Sequence, residues 1–536
     1  MVPLDFGLVA LDIISSWLRM ILALVLSILF ALGVGIWAAR SRRAEAVILP
    51  LLDIFQSIPI LGFFPFVIAG IYGAVPNAIG ANLAVIVLIF TSMSWNIAFG
   101  VYEAVKAIPQ DYADLFNVTQ ASSWQRIKSL YIPASMSRIA YNTQISWAVG
   151  LFFLVSSEII SMGTCSQGST SASSQCQNVP IPYGIGIGAT TFPPASGDYL
   201  LLIAGIVLAV VVWRYLFLRA FALWSEKFKM MEEPREQHRD PITRFYSYVN
   251  HRAVSKLFLM AHDMGVSRFT STISRFRKGL KYAVLIFFVL FGLLLYSSLL
   301  HSEVGFGNLP SWALIASDEA TVLYALAVSF ARVWFVYAIC VAIGLPLGIA
   351  ISLNFKLYDT VSPVLEVISS IPAPILLPAI VLVPVLGHAS EAVAAIVIML
   401  AIIWYIIFNV MAGVRTLPSD IKDLPKLYHT GRLSAWRNVY LPGALTGFVT
   451  GSITAIGGAW NALIIAEYFN PNPTGNTPLT QVGAGIGKVI VIATNNDQYL
   501  TLTLAVLSMT ALIVTFNLVV WRRLYHHVTK RYTYNR

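Results

Sequence analysis

The chain has 536 residues, 57% of them hydrophobic and only 11% charged, with a mean hydropathy of +0.74. That balance excludes an ordinary soluble globular protein and puts the chain in a membrane. The net charge of +10 does not point to nucleic acid, because Lys and Arg sit in short clusters between apolar runs, as cytoplasmic loops of membrane proteins do.

In chain order, the first apolar run, Ile13–Ala39, predicts a span with an amphipathic lead-in at Val2–Asp12. It is too long for a cleavable signal peptide and has no convincing small-residue cleavage site. The basic cluster Arg40–Arg43 follows, then the runs Val47–Ile71 and Ala78–Val101, a polar segment, and the runs Ile139–Met162 and Tyr199–Leu223. Each is long enough to cross a hydrocarbon core, which takes about 20 helical residues. The linker 224–281 is basic and carries a surface-seeking stretch, Tyr246–Met264, suited to anionic lipid headgroups. A span with no counterpart in the first half, Tyr282–Leu300, then carries the chain outward. Five further spans are expected at Leu323–Leu353, Val364–Leu386, Ala392–Val414, Leu445–Ala466 and Leu502–Val520, before a basic tail at 521–536. With the basic segments cytoplasmic, the N-terminus falls outside.

The polar segment Val105–Ser135 returns as Val414–Ala444: Pro109 falls on Pro418, Asp111 on Asp420, Asp114 on Asp423, Leu115 on Leu424 and Pro133 on Pro442. Beyond it, Ser57-Ile58-Pro59 matches Ser370-Ile371-Pro372, Asp53 matches Glu366, Arg19 with Gly35 matches Arg332 with Gly348, Trp95 matches Trp404, and Glu158 matches Glu467. The chain therefore reads as an all-α polytopic membrane protein built from two repeats of the same orientation, 1–223 and 282–520, with about eleven spans in a five-plus-six arrangement. Ser-Ile-Pro within a span is a kink device, since proline removes a backbone donor that a serine hydroxyl partly replaces. Ala31/Gly35 and Gly344/Gly348 are small-residue pairs that permit close helix approach.

Ionisable residues inside spans are functional candidates by default. Glu158 and Glu467 fall near the outer ends of matching spans, where a gate would sit. Each either pairs with a cation, such as an Arg of a neighbouring subunit, or takes hydrogen bonds from amides of the glycine runs Gly184–Gly188 and Gly483–Gly487. Asp53 and Glu366 lie nearer the cytoplasmic third. With Ser57, Ser370, Asn96 and Asn461 these residues are the candidates for a pathway between the halves; ordinary packing is the plainer alternative for each taken singly.

The doubled polar segment resembles the cytoplasmic loop of permease subunits of binding-protein-dependent ABC importers, and the resemblance covers nearly the whole chain apart from the linker. That family's loop carries Glu-Ala-Ala, a Gly six positions after the Glu and a Pro nineteen after it. Asp114 with Pro133 and Asp423 with Pro442 meet the longer spacing, with Asp for Glu; Gln120 and His429 stand at the Gly position, and Leu115 and Leu424 at an Ala. The literal Glu103-Ala104 is a decoy, because position 122 is Ser. Trp460 to Glu467 and the glycine runs are similar to permeases for nitrate, sulfonates and related oxyanions. The resemblance implies a tandem fusion of two permease domains coupled through both loops to two cytoplasmic ATPase subunits. An extracytoplasmic binding protein would deliver a small solute such as an oxyanion or sulfonate. Asp114 and Asp423 are expected near helix starts. Leu115, Phe116, Trp124 and Ile127 in the first copy, and Leu424, Leu427, Tyr428 and Trp436 in the second, are expected to anchor the ATPase.

No phosphate loop is present: the nearest approach, Gly483–Lys488, has Val482 and Val489 where Gly and Ser or Thr are needed. ATP hydrolysis is thus expected on separate chains, with no cofactor, metal or nucleic acid, and the alternative is a secondary transporter or channel. Cys165 and Cys176 share the loop Gly163–Pro194, outside by the charge argument, and are expected to form a disulfide there; two free thiols are the alternative.

Overall fold

The computed structural model describes residues 5–57, 59–75, 78–120, 122–166, 181, 183–193, 196–228, 312–383, 389–415, 417, 419–469, 480–496, 498–521, 523, 524 and 528. The expected span Tyr282–Leu300, nearly all of the linker, most of the tail and Cys176 lie outside these residues.

The first half comprises α1 (Phe6–Arg40), α2 (Arg42–Ser57), α3 (Ile60–Ala74), α4 (Ala78–Lys106), α5 (Gln110–Val118), α6 (Ser123–Arg126), α7 (Ile132–Ser166), α8 (Ile185–Thr191), α9 (Gly197–Trp213) and α10 (Arg219–Ser225). The second repeats the order: α11 (Trp312–Leu353), α12 (Phe355–Ser369), α13 (Ala373–Val381), α14 (Ser390–Arg415), α15 (Ser419–Leu427), α16 (Arg432–Ala435), α17 (Leu441–Glu467), α18 (Ile486–Asn495) and α19 (Tyr499–Phe516). Among the described residues the sole sheet is a two-residue antiparallel pair, Tyr468–Phe469 with Thr480–Gln481, which closes the loop between α17 and α18.

Each half is centred on its fourth helix. In α4, Val85, Ile89, Met93, Ile97 and Val101 recur four apart and are all buried; Ile398, Ile402, Ile406, Val410 and Val414 do the same in α14. That spacing keeps one face turned to the neighbours α1 and α7, or α11 and α17. In lipid, packing rather than apolar burial holds such helices together, so close approach matters. A Cβ on Gly35 would stand 2.8 Å from Val101 and one on Gly348 2.8 Å from Val410, which is why the repeat keeps glycine at both. α2 is tied to α4 by Glu45, which accepts from Lys106 Nζ (2.7 Å) and Tyr102 Oη (2.6 Å); these donors hold its carboxyl below the usual range.

Two of the expected spans are broken at their Ser-Ile-Pro rather than only kinked. Val47–Ile71 is not one helix: α2 runs to Ser57, Pro59 is extended, and α3 starts afresh at Ile60. Val364–Leu386 is likewise divided into α12 and α13, which meet at 78° across Ser370–Pro372. Proline here breaks the helix outright, because each lacks the N–H that would continue the ladder. Among the described residues eight helices are long and apolar enough to span a membrane, or nine with the bent pair taken as one.

The breaks create the contact between the halves. α3 packs against α17 and α18 of the second half, and α13 against α7 and α8 of the first. Each half thus lends the other its post-proline helix. Tyr199 Oη donates to the Ile375 carbonyl (2.5 Å), and the Leu61 amide donates to Asn461 Oδ1 (3.4 Å), across this reciprocal joint.

Candidate functional site

A cavity of about 910 Å³ lies between the halves and takes its walls from both. Trp95 and Trp404, the matched pair of the repeat, both line it, as do Trp460 and Phe330. Phe55 stacks on Trp95 with ring centroids 5.4 Å apart, which fixes one wall. Of the sequence candidates, Asn96, Asn461, Glu366 and Ser370 line the cavity. Asn96 Nδ2 donates to Ser146 Oγ (3.1 Å), and Asn461 Nδ2 to the Gly457 carbonyl (3.0 Å). Asp53 and Ser57 lie in α2, and their side chains are outside the described residues. Sequence reasoning missed the cavity's cations. Arg138, Arg214 and Arg219 line it, all from the first half, whereas the lining residues of the second half include one charge, Glu366. The signal was available: an Arg at position 214, inside an apolar run, is costly unless it faces a partner or a water-filled space.

Glu158 and Glu467 do not line the cavity. Each is fully buried, Glu467 as the last residue of α17 and Glu158 two turns before the end of α7, in a polar cluster built the same way twice. Glu158 Oε1 accepts from Ser16 Oγ (2.7 Å) and Arg19 Nη1 (2.5 Å), and its Oε2 from the Gly186 amide (2.8 Å). Arg19 spends its other donors on the Tyr183 carbonyl (2.7 Å) and Asn82 Oδ1 (2.7 Å). The Ile185 amide donates to Ser16 Oγ (2.9 Å) and the Gly184 amide to Asp12 Oδ1 (2.8 Å). Three N–H groups that the start of α8 cannot pair internally are thereby satisfied. In the second half Ser329 Oγ (2.5 Å) and Arg332 Nη1 donate to Glu467 Oε1. The Gly487 amide donates to Oε2 (2.7 Å) and the Ile486 amide to Ser329 Oγ (2.8 Å). Glu391 takes the place of Asn82, accepting from Arg332 Nε (2.9 Å) and Nη2 (3.0 Å).

Both expected partners of the glutamates are therefore present, and the cation comes from the same half rather than from another subunit. The glycine runs also pair in a shifted register: Gly184 answers Gly485, and Gly186 answers Gly487. A Cβ on Gly184 would fall 2.7 Å from Glu158 Oε2, and one on Gly485 2.2 Å from Glu467 Oε2. Both residues are extended, so space and not backbone freedom requires glycine. The missed signal was Ser-x-x-Arg, present at Ser16–Arg19 and again at Ser329–Arg332, which puts both donors on one helix face.

The polar segments form matched pairs of short helices, α5 with α6 and α15 with α16. The carboxylates in the first turns are Asp111 and Asp420; Asp114 and Asp423, expected there, come later, in the middle of α5 and α15. The side chain of Asp423 is outside the described residues. Ser122 caps α6 with Gln125 in reciprocal hydrogen bonds. The exposed apolar and aromatic residues are Tyr112, Leu115 and Val118 in the first copy and Leu424, Leu427, Tyr428 and Leu433 in the second; Val118 is 81% exposed, Leu427 73% and Leu433 82%. Phe116 and Trp124 are half-buried, and Pro133 and Pro442 lie in the first turns of α7 and α17. Ile127 and Trp436 turn inward onto the core, so Leu433, at the position of Trp124, replaces Trp436 as an outward side chain. Cys165 belongs to α7, not to the following loop, and the expected partner Cys176 lies outside the described residues.

Gln120 and His429 adopt left-handed φ values of 50° and 49°. The turn is the one glycine serves best, kept here by non-glycine residues at a cost of roughly 1–2 kcal/mol each. Gln120→Gly is expected to leave the melting temperature of the purified chain unchanged or raised. Gln120→Val should lower stability by about 1–2 kcal/mol, since a β-branched residue tolerates that geometry worst. Equal melting of the valine variant and the parent would show the turn to be free of strain.

The sequence profile of the family described as "Binding-protein-dependent transport system inner membrane component" matches residues 31–221 and 341–534. The chain belongs to that family. It is a multi-pass ABC-transporter permease of the plasma membrane, with two repeats in the same orientation. It is 28% identical over 208 residues to the nitrate import permease protein NrtB of Leptolyngbya laminosa, covering 37% of this chain and 68% of that protein. It is 32% identical over 139 residues to the bicarbonate transport system permease protein CmpB of Synechococcus elongatus, covering 26% and 49%. With the taurine transport system permease protein TauC of Escherichia coli it shares 28% identity over 149 residues, covering 28% and 53%. The match thus spans about half of the last two relatives.

Proposed function

We propose that this chain is the whole membrane-spanning part of an ATP-driven importer, doing in one polypeptide the work of two permease subunits. Its functional units are the repeats 1–223 and 282–520, joined by the basic linker 224–281 and followed by the basic tail 521–536. The solute crosses through the cavity between the repeats. The carrying observation is that this cavity takes its walls from both halves of a chain whose two halves match the same transport family. Two cytoplasmic ATPase subunits dock on the paired polar segments, and an extracytoplasmic binding protein presents the solute on the opposite side. The matched pair of apolar-tipped short helices supports this over an ion-coupled carrier, which has no use for two such surfaces. Glu158 and Glu467, by hanging α8 and α18 against the opposite half, hold the outer gate.

A small oxyanion or sulfonate is the solute class. The relatives are named for nitrate, bicarbonate and taurine, and the three arginines of the cavity lining outnumber its two carboxylates, Glu103 and Glu366. The purified chain is expected to hydrolyse no ATP alone. The intact assembly should contain one copy of this chain per two ATPase subunits, read from its native mass. Two copies per ATPase pair would defeat the fused-permease reading.

A further inference from the structure

Arg214 and Glu366 form an ion pair across the cavity between the two halves. Both side chains are partly open to the space they line, 27% and 35% exposed respectively. Arg214 begins a π-helical turn, Arg214–Leu218, that extends α9; such widened turns recur at functional sites because they re-aim a side chain. Glu366 occupies the last turn of α12, where the unpaired carbonyls of the helix end disfavour a carboxylate. Its other side-chain partner is Ser362 Oγ, at 3.3 Å, while Ser369 and Ser370 donate to its backbone carbonyl (2.9 and 2.7 Å). Arg214 is therefore what makes an ionised Glu366 tolerable at this place. One turn after Glu366 comes the 78° break, and beyond it α13 packs on α7 and α8 of the first half.

We propose that Arg214 is the residue that contacts an anion in the cavity, and that Glu366 is its resident counter-ion, displaced when the anion binds. The assignment rests on the anionic solute class given above. A guanidinium presents a fork of donors that fits one carboxylate or one planar oxyanion, not both at once. An entering anion takes the fork, and Glu366 is left facing its own helix end. Occupancy of the cavity is thereby felt at the break before α13, on which the contact between the halves depends. The other cations of the lining are placed differently. Arg138 stands 4.0 Å from Glu103 of its own half in an exposed pair, and Arg219 begins α10 of that same half.

The test uses the full chain in lipid nanodiscs and iodide, an anionic quencher of indole fluorescence, since Trp95, Trp404 and Trp460 line the cavity. Wild type should show a saturable quenching component in addition to the collisional one. Arg214→Gln should abolish it. Glu366→Gln, which removes the competing carboxylate, should lower its half-saturation about tenfold, equivalent to about 1.4 kcal/mol. The double variant Arg214→Gln/Glu366→Gln leaves no unpaired charge, so it folds if the single variant does not, and it too should lack the component. No saturable component in wild type, its survival in Arg214→Gln, or its return in the double variant would overturn the assignment. The importer reading is scored separately, by ATP-driven uptake of nitrate, bicarbonate and taurine into proteoliposomes that hold the chain assembled with its ATPase subunits and binding protein. Uptake that the double variant retains would remove Arg214 from the pathway and leave the importer standing. Saturable iodide binding without uptake would do the reverse.

Discussion

Arg19→Met is expected to destabilise the chain by about 3–5 kcal/mol, and Arg332→Met by a similar amount. Removing the cation leaves Glu158, or Glu467, fully buried with its charge uncompensated. The carboxylate cannot move to water, because its other oxygen is held by the first amides of α8 or α18. The second carboxylate at Arg332, Glu391, changes this little: its side chain is 61% exposed and remains hydrated when the arginine is lost. Adding Glu158→Gln to Arg19→Met should recover a large part of the loss, because a neutral amide needs no cation; residues in one network are not additive. Thermal melting of wild type, Arg19→Met, Glu158→Gln and the double variant in one lipid condition gives the cycle. Should Arg19→Met melt with wild type, the cluster is not a clamp. The effect extends to transport, since α8 and α18 bear on α13 and α3 of the opposite halves. A loosened clamp is expected to raise solute leak in the absence of ATP, whereas a uniformly destabilised chain would lose total uptake without leaking.

The repeat, the polar segments and the span positions were legible because each has a one-dimensional signature: long apolar runs, a proline at a fixed distance from an aspartate, and paired landmarks such as Trp95 and Trp404. The breaks at Pro59 and Pro372 were read only as kinks. Proline announces that a donor is missing, but whether a helix bends or ends depends on what packs beside it, here the opposite half. Arg19 and Arg332 were seen as repeat markers and not as partners of Glu158 and Glu467. That pairing joins α1 to α7, and α11 to α17, contacts that only the tertiary fold creates. Glu366 was named as a pathway residue while Arg214 was not, since the repeat supplies a counterpart for the first, Asp53, and an asparagine, Asn517, at the start of the matching π turn for the second. The repeat marks the parts the halves share, not the arginine in which they differ. The same limit applied to Leu433, whose match to Trp124 is a matter of position and not of residue type.

Replacing Val118 and Leu427 together with Asp should abolish ATP-driven transport while leaving the spans folded. Both occupy the same place in the repeat, at the ends of α5 and α15, and both are among the most exposed apolar side chains of the described residues. Neither helix gains from that exposure, and short helices of nine residues are marginal without a partner to pack on. A docked partner that buried each side chain would gain roughly 1.5–3 kcal/mol per residue from removing it from water. Aspartate reverses that gain and adds a desolvation cost, so the double change is expected to weaken binding of the ATPase subunits by at least about a hundredfold. Asp114→Lys with Asp423→Lys is the parallel charge experiment, and a smaller loss is expected of it. Asp114 is exposed in mid-helix, and a rim charge contributes mainly to association rate and salt dependence. Ile127 and Trp436 serve as internal controls. Both pack on the core, so Trp436→Ala should lower thermal stability whether or not an ATPase is present. If Val118→Asp/Leu427→Asp still copurifies with its ATPase and transports at the wild-type rate, the polar segments are not where force enters the membrane domain. If it loses both while melting like wild type, the two outward tips are the points at which ATP-driven closure is delivered to the spans.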